Sequence, residues 1–304
     1  MKKKLFTAVC VLALCLSLSP AYAENAETGD NTAPLAENFE LTTYRNVSIG
    51  GQLAAVDPDG DPVTFRLTTE PVKGVVELQE NGKFVYTPNE GKRGRDYFGY
   101  KAVDCDGNES QEATVIISIK KQKTAVTYRD MTGRAEEYAA VLLAEEGICT
   151  GQQIGASYLF DPDSTITRSE FLALCMELTG EPLLDGVLTT GFGDDAQIPA
   201  WSKSYVSTAL MNGSIQGYSN GEAVVFDAQR GITRAEAAVM LDNLVQTTPV
   251  AAQENDTVPS WACQSVANLT SCDVYPTGSD SAATLTRADA AQMLVNAMAV
   301  LDRR

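Results

Sequence analysis

Nearly the same five residues appear three times in the second half of this chain: Ile166-Thr167-Arg168-Ser169-Glu170, Ile232-Thr233-Arg234-Ala235-Glu236 and Leu285-Thr286-Arg287-Ala288-Asp289. A recurrence in register means one supersecondary unit used three times, which constrains the fold more than composition can. Threonine followed three residues later by Glu or Asp is a capping box, or close to one, and opens a helix by satisfying its first backbone donors. Arginine in that first turn is unexpected, because the helix dipole there favours negative charge. A nearby carboxylate or an anionic ligand should offset it.

The apolar spacing behind each box supports the helical reading. Phe171, Leu174, Cys175 and Leu178 recur at three- and four-residue steps, as do Ala237, Met240, Leu241 and Leu244, and Ala290, Met293, Leu294 and Ala297. A second helix is predicted before each box, over Glu136 to Glu146, Ser202 to Asn212 and Ala262 to Ser271. Gly147 and Gly213 suit left-handed stops after the first two.

The start of the chain reads as a secretory signal over residues 1–23: Lys2 to Lys4, an apolar run from Leu5 to Leu18, then Ala21-Tyr22-Ala23. The apolar run is too short for a stable span, so no membrane span is expected after cleavage. A flexible segment is expected over residues 24–33. The formal net charge of −17 falls to −20 once the three leader lysines are removed, which disfavours phosphate-backbone attraction and hence nucleic acid as a partner. There is no histidine, which excludes Ser-His-Asp and Cys-His catalysis and imidazole zinc sites. Five cysteines follow the leader, as buried thiols or with Cys263 and Cys272 closing a small loop.

Residues 34–122 read as strands. Val63, Phe65 and Leu67 alternate with polar neighbours, Asn81-Gly82 marks a hairpin, and Val115, Ile117 and Ile119 alternate again. Short strands at this spacing predict a β-sandwich. Asp57, Asp59 and Asp61 share one loop and Asp104 lies on a second, the oxygen-rich pattern that suits calcium, although Asp and Gly are also what tight turns require. No other cofactor is implied. Asp96 reads as an internal cap or a packing partner for the aromatic residues beside it.

Two resemblances follow from these motifs. Ala54 to Val63, Gly82 to Pro88, and Gly94-Arg95-Asp96-Tyr97-Phe98-Gly99-Tyr100 with Asp104 resemble bacterial immunoglobulin-like or cadherin-like modules, which implies an all-β immunoglobulin-like sandwich acting as spacer or adhesive unit. Phe192-x-Asp194, Trp201, Gly213 to Gly217, Phe226-Asp227 and the second box resemble the S-layer homology (SLH) repeat. Copies are expected at about 128–183, 190–247 and 254–304, within a helical region of residues 123–304. The first copy has Ala135 where Trp would fall, and the third has Asp273 in place of the loop glycine.

The second resemblance implies an all-α, pseudo-threefold bundle that binds secondary cell-wall polysaccharide on peptidoglycan. The chain would then be a secreted, non-catalytic protein of the cell wall or S-layer surface, with self-assembly or another surface partner left open. An adhesin and a wall-anchored hydrolase are the alternatives. The implied ligand contacts are Arg168, Arg234 and Arg287, with Trp201, Trp261 and Gly217; fewer than three equivalent grooves are expected, the second copy contributing most. Each contact has a structural rival: ion pairs with Asp161, Asp163 or Asp227 for the arginines, core packing for the tryptophans, and backbone need for the glycine.

Overall fold

The computed structural model describes residues 31–252 and 256–303. The expected signal segment lies outside them. The described residues divide into two compact units, one of residues 31–125 with 131–141, the other of residues 126–130 with 142 onward.

The first unit is all-β. Its strands are β1 (Leu35–Ala36), β2 (Phe39–Tyr44), β3 (Ile49–Gln52), β4 (Ala55–Val56), β5 (Thr64–Thr69), β6 (Gly74–Leu78), β7 (Lys83–Pro88), β8 (Gly94–Val103) and β9 (Ala113–Lys120). One sheet runs β2-β9-β8-β5 and another β3-β7-β6, with a small β1-β4 pair. All pairings are antiparallel except β2 with β9, whose register sets Phe39 against Val115. Alternation puts Phe84, Tyr86, Phe98, Tyr100, Val115 and Ile117 inside, each at most 3% exposed. The β6–β7 turn is the predicted hairpin, with Gly82 at φ 84°.

Buried Asp96 accepts the Val72 and Lys73 amides at 3.1 and 2.8 Å and the Tyr86 hydroxyl at 2.8 Å. It is the internal cap that the sequence suggested. Residues 131–141 pack within this unit: Gly50 N–H donates to the Ala135 carbonyl at 2.9 Å, and Glu137 accepts the amides of Ser48 and Gly133 at 2.9 and 3.1 Å. A β-carbon on Gly50 would sit 2.6 Å from the Ala135 methyl, so the strand edge and Ala135 fit only because both are small.

The second unit contains α2 (Arg168–Thr179), α3 (Lys203–Met211), α4 (Arg234–Val245), α5 (Cys263–Ser271) and α6 (Arg287–Asp302), with α1 (Glu137–Glu145) preceding them. Two hairpins were not anticipated: β10 (Gln152–Ile154) with β11 (Ser157–Leu159), and β12 (Tyr218–Ser219) with β13 (Val224–Val225). Thr167 and Thr233 form complete capping boxes with Glu170 and Glu236. Thr286 accepts the Asp289 amide at 3.1 Å, but the shorter Asp side chain makes no return bond to the cap. Helix α2 packs on α4, α6 and α3, and α4 packs on α5.

The three boxes are joined in a ring. Ile166 N–H donates to Leu285 O at 3.1 Å, Leu285 N–H to Ile232 O at 2.8 Å, and Ile232 N–H to Ile166 O at 3.1 Å. Gly147, Gly213 and Asp273 each follow a first helix at positive φ, of 74°, 78° and 59°. The third copy therefore keeps the left-handed turn with a residue poorly suited to it.

All five cysteines from Cys105 onward are free thiols. Cys263 opens α5 and Cys272 follows its end, about 13 Å away at 1.5 Å per residue, beyond disulfide reach. The small loop is excluded.

Candidate functional site

Each repeated arginine leaves the first turn of its helix and meets the next copy, Arg168 and Arg287 at its loop and Arg234 at its capped helix. The three meetings differ. Arg168, 7% exposed, gives its Nε–H to Phe226 O at 2.8 Å, lies 5.1 Å above the Phe226 ring, and pairs with Glu236 at 3.1 Å. Arg234 pairs with Asp289 at 2.6 Å. Arg287 gives its Nε–H to Phe160 O at 2.8 Å and lies 5.3 Å above the Phe160 ring. Among the described residues, no carboxylate lies within ion-pair distance of Arg287.

For Arg168 and Arg234 the offsetting charge is thus the box carboxylate of the following copy. Neither pairs with Asp161, Asp163 or Asp227, which turn chemistry places elsewhere. Asp161 and Asp227 sit at φ 59° and 58° in tight turns, held from behind by other carboxylates. Asp130 accepts the Phe160 and Asp161 amides at 3.0 and 2.7 Å, and Asp194 accepts those of Phe226 and Asp227 at 2.9 and 2.7 Å. These turns present each Phe carbonyl and ring to the incoming arginine.

Arg287 lines a cleft of about 520 Å³ together with Phe160, Asp161, Ser164, Glu170 and Gln152. The corresponding place in the second copy holds Arg230. Its guanidinium reaches Asp227 at 2.9 Å and Glu236 at 2.6 Å, and lies 5.8 Å from the Tyr218 ring centre. Burial alone would raise the Glu236 carboxyl; the Arg230 hydrogen bond, the Thr233 amide and the charges of Arg168 and Arg230 outweigh it and hold it below its usual value. Burial lowers the Arg168 guanidinium despite the charge of Glu236. Arg230 and Tyr218 lie between the repeated motifs; aligning the copies position by position, Ser164 against Arg230, would have exposed them.

Trp201 and Trp261 are 53% and 59% exposed, so neither is a core residue. Trp201 packs edge-on against Tyr205 at 6.4 Å. Neither tryptophan lines the Arg287 cleft. Gly217 sits at φ 70°, and a β-carbon there would lie 2.5 Å from the Phe192 ring and 2.6 Å from Val225 O, so packing alone requires glycine.

The aspartates proposed for calcium do not form one coordination shell. Asp57 Oδ1 accepts the Asp59 and Asp61 amides, and Asp59 accepts the Thr32 amide. Asp104 is saturated by N–H donors: Asp106 and Asn108 amides on one oxygen, Asn31 and Asn108 side chains on the other. Among the described residues no three carboxylate or thiol groups gather around a point that could hold a metal. Turn hydrogen bonds engage Asp57 Oδ1 and both oxygens of Asp104, while the buried Asp57 Oδ2 and Asn31 Oδ1 have no partner among the described residues.

Residues 28–121 match the family model described as bacterial cadherin-like domain, and residues 191–238 match the S-layer homology domain model. A surface-layer 125 kDa protein of Lysinibacillus sphaericus is 30% identical over 125 residues, which is 40% of this chain but 10% of that protein. The chain therefore spans about a tenth of that relative's length. Among solved structures, human protocadherin-24 EC1-2 has 20% identity and a TM-score of 0.26, covering 31% of this chain and 54% of that one. An endo-fucoidan hydrolase of glycoside hydrolase family 107 has 18% identity and a TM-score of 0.25, covering 32% and 14%. Scores this low carry no argument about function. The chain carries a bacterial cadherin-like domain and an S-layer homology domain.

Proposed function

We propose that the helical unit is a non-covalent anchor to an acidic polysaccharide of the cell wall, built from three S-layer homology copies arranged with pseudo-threefold symmetry. The cadherin-like module serves as a spacer or adhesive element. The whole is a non-catalytic cell-surface protein. One observation carries the binding reading: the Arg287 guanidinium rests on Phe160, lines an open cleft and has no carboxylate partner among the described residues. A planar fork held in this way can take a sugar carboxylate through two parallel hydrogen bonds. The net charge of −17 makes this a local attraction on a repulsive background, so added salt should act on a short-range contact.

The test is co-sedimentation of the full chain with purified sacculi before and after chemical removal of the secondary polymer. Binding lost on removal supports the anchor. Equal binding to both preparations points to peptidoglycan itself, and binding to neither removes the anchoring role.

A further inference from the structure

The backbone fixes which residues correspond between copies. Arg168 N–H donates to Arg230 O at 3.0 Å, and Arg287 N–H donates to Ser164 O at 2.9 Å. Arg230 and Ser164 therefore occupy the same place beside the incoming arginine. Likewise Phe226, Asp227 and Glu236 correspond to Phe160, Asp161 and Glu170. The two clefts share their floor and both carboxylates, and they differ in the side chain that stands between those carboxylates.

In the first copy that side chain is Ser164, whose hydroxyl turns back to the Asp161 carbonyl at 2.9 Å. Glu170 is bonded to Thr167, and Asp161 remains exposed at the cleft wall. In the second copy a guanidinium spans the gap. Arg230 bonds Asp227 and Glu236 and stacks on Tyr218, whose hydroxyl donates to Asp227 at 2.7 Å. An anion entering there would have to break charge-assisted bonds on two sides. Arg168 beside it is buried, its charge met by the same Glu236 that Arg230 holds in place.

We infer that Arg230, braced by Tyr218, is an internal plug that closes the second-copy cleft, leaving the Arg287–Phe160 cleft to take the acidic sugar. The third copy offers no substitute: Arg234 N–H meets Ala283 O at 2.9 Å, its guanidinium is paired with Asp289, and Ser279-Asp280 stand where the other copies have Phe-Asp. The anchor is thus monovalent although the motif is written three times. The open cleft holds one cation with the carboxylates of Asp161 and Glu170 beside it, and Asp130, already engaged by the Phe160 and Asp161 amides, in its lining. It selects a sugar bearing a single negative charge with free hydroxyls beside it, the hydroxyls donating to those carboxylates.

This inference rests on the anchoring function, and one experiment separates the two. The full chain and the variants Arg230→Ser, Arg287→Ala and the double variant are titrated calorimetrically with short acidic oligosaccharides released from polymer-bearing sacculi. Serine is the residue of the open copy, and the Arg230 carbonyl that supports Arg168 is retained, so Arg230→Ser should keep its unfolding midpoint within a few degrees. The expected site counts are one for the unaltered chain, two for Arg230→Ser, none for Arg287→Ala and one for the double variant. One site in both the unaltered chain and a folded Arg230→Ser overturns the plug and leaves the anchor standing. A site surviving Arg287→Ala also overturns it. No site in either the unaltered chain or Arg230→Ser overturns both.

Discussion

Arg234 holds Asp289 at 2.6 Å, joining residues 55 apart at the first turns of successive capped helices. The pair makes Arg234 a structural link, although its motif differs from those around Arg168 and Arg287 at only one and two positions. Arg234→Ala is expected to lower stability by about 1 kcal/mol or less, as for a partly exposed pair, and to leave wall binding unchanged. Arg287→Ala is expected to reduce wall binding at least ten-fold with little loss of stability. Co-sedimentation of both variants with the same sacculi checks this, and a larger binding loss for Arg234→Ala would reverse the assignment.

Asp273 occupies a left-handed turn that the other copies fill with Gly147 and Gly213. Burial also pushes its carboxyl above the usual value, against the opposing charge of Arg303. Asp273→Gly relieves both, offset in part by the greater freedom of glycine in the unfolded chain. The expected gain is about 0.5 kcal/mol. Urea unfolding followed by tryptophan fluorescence reads it directly, because Trp201 and Trp261 both lie in the helical unit.

Removing the Asp96 carboxylate strands two backbone amides and the Tyr86 hydroxyl inside the β-sandwich. Asp96→Ala should cost about 3 kcal/mol or more, and Tyr86→Phe about 1 kcal/mol. A double-mutant cycle on the tyrosine-reported transition should find the two coupled; simple additivity would mean the bond contributes nothing of its own.

Burial raises the Glu137 carboxyl above its ordinary value, against the amides of Ser48 and Gly133 that favour the charged form. The native state then binds this proton more tightly than the unfolded state. Its contribution is fully present below the ordinary glutamate value of about 4.3 and is lost as pH rises through the native value. Glu137→Gln keeps the acceptor oxygen and removes the titration. Between pH 4 and pH 7 the variant should gain stability relative to the unaltered chain, and a constant difference across that range would contradict this.

The sequence was most legible where periodicity and caps agree. The helices predicted over Glu136 to Glu146, Ser202 to Asn212 and Ala262 to Ser271 are observed as Glu137–Glu145, Lys203–Met211 and Cys263–Ser271. Alternation likewise located Phe65, Val115, Ile117 and Ile119 in strands. What periodicity cannot carry is partnership across distance. Nothing local told that β2 would lie parallel to β9, or that residues 131–141 would pack with the sandwich. The site shows the same limit: three arginines alike in sequence have different partners because the deciding residues, Phe160, Asp289 and Arg230, lie in other segments. The tryptophans were ambiguous for a related reason, since an exposed indole and a buried one look the same in a sequence.

The ring of hydrogen bonds through Ile166, Ile232 and Leu285 has a topological consequence. Stacked repeats in an open array have two ends, and those ends must be capped because nothing follows them. Here the third segment bonds to the first, so each of the three linking segments has a neighbour on both sides. Closure also leaves no opening in the circle: a fourth segment would find no free donor or acceptor at these three residues, and deleting one would break it.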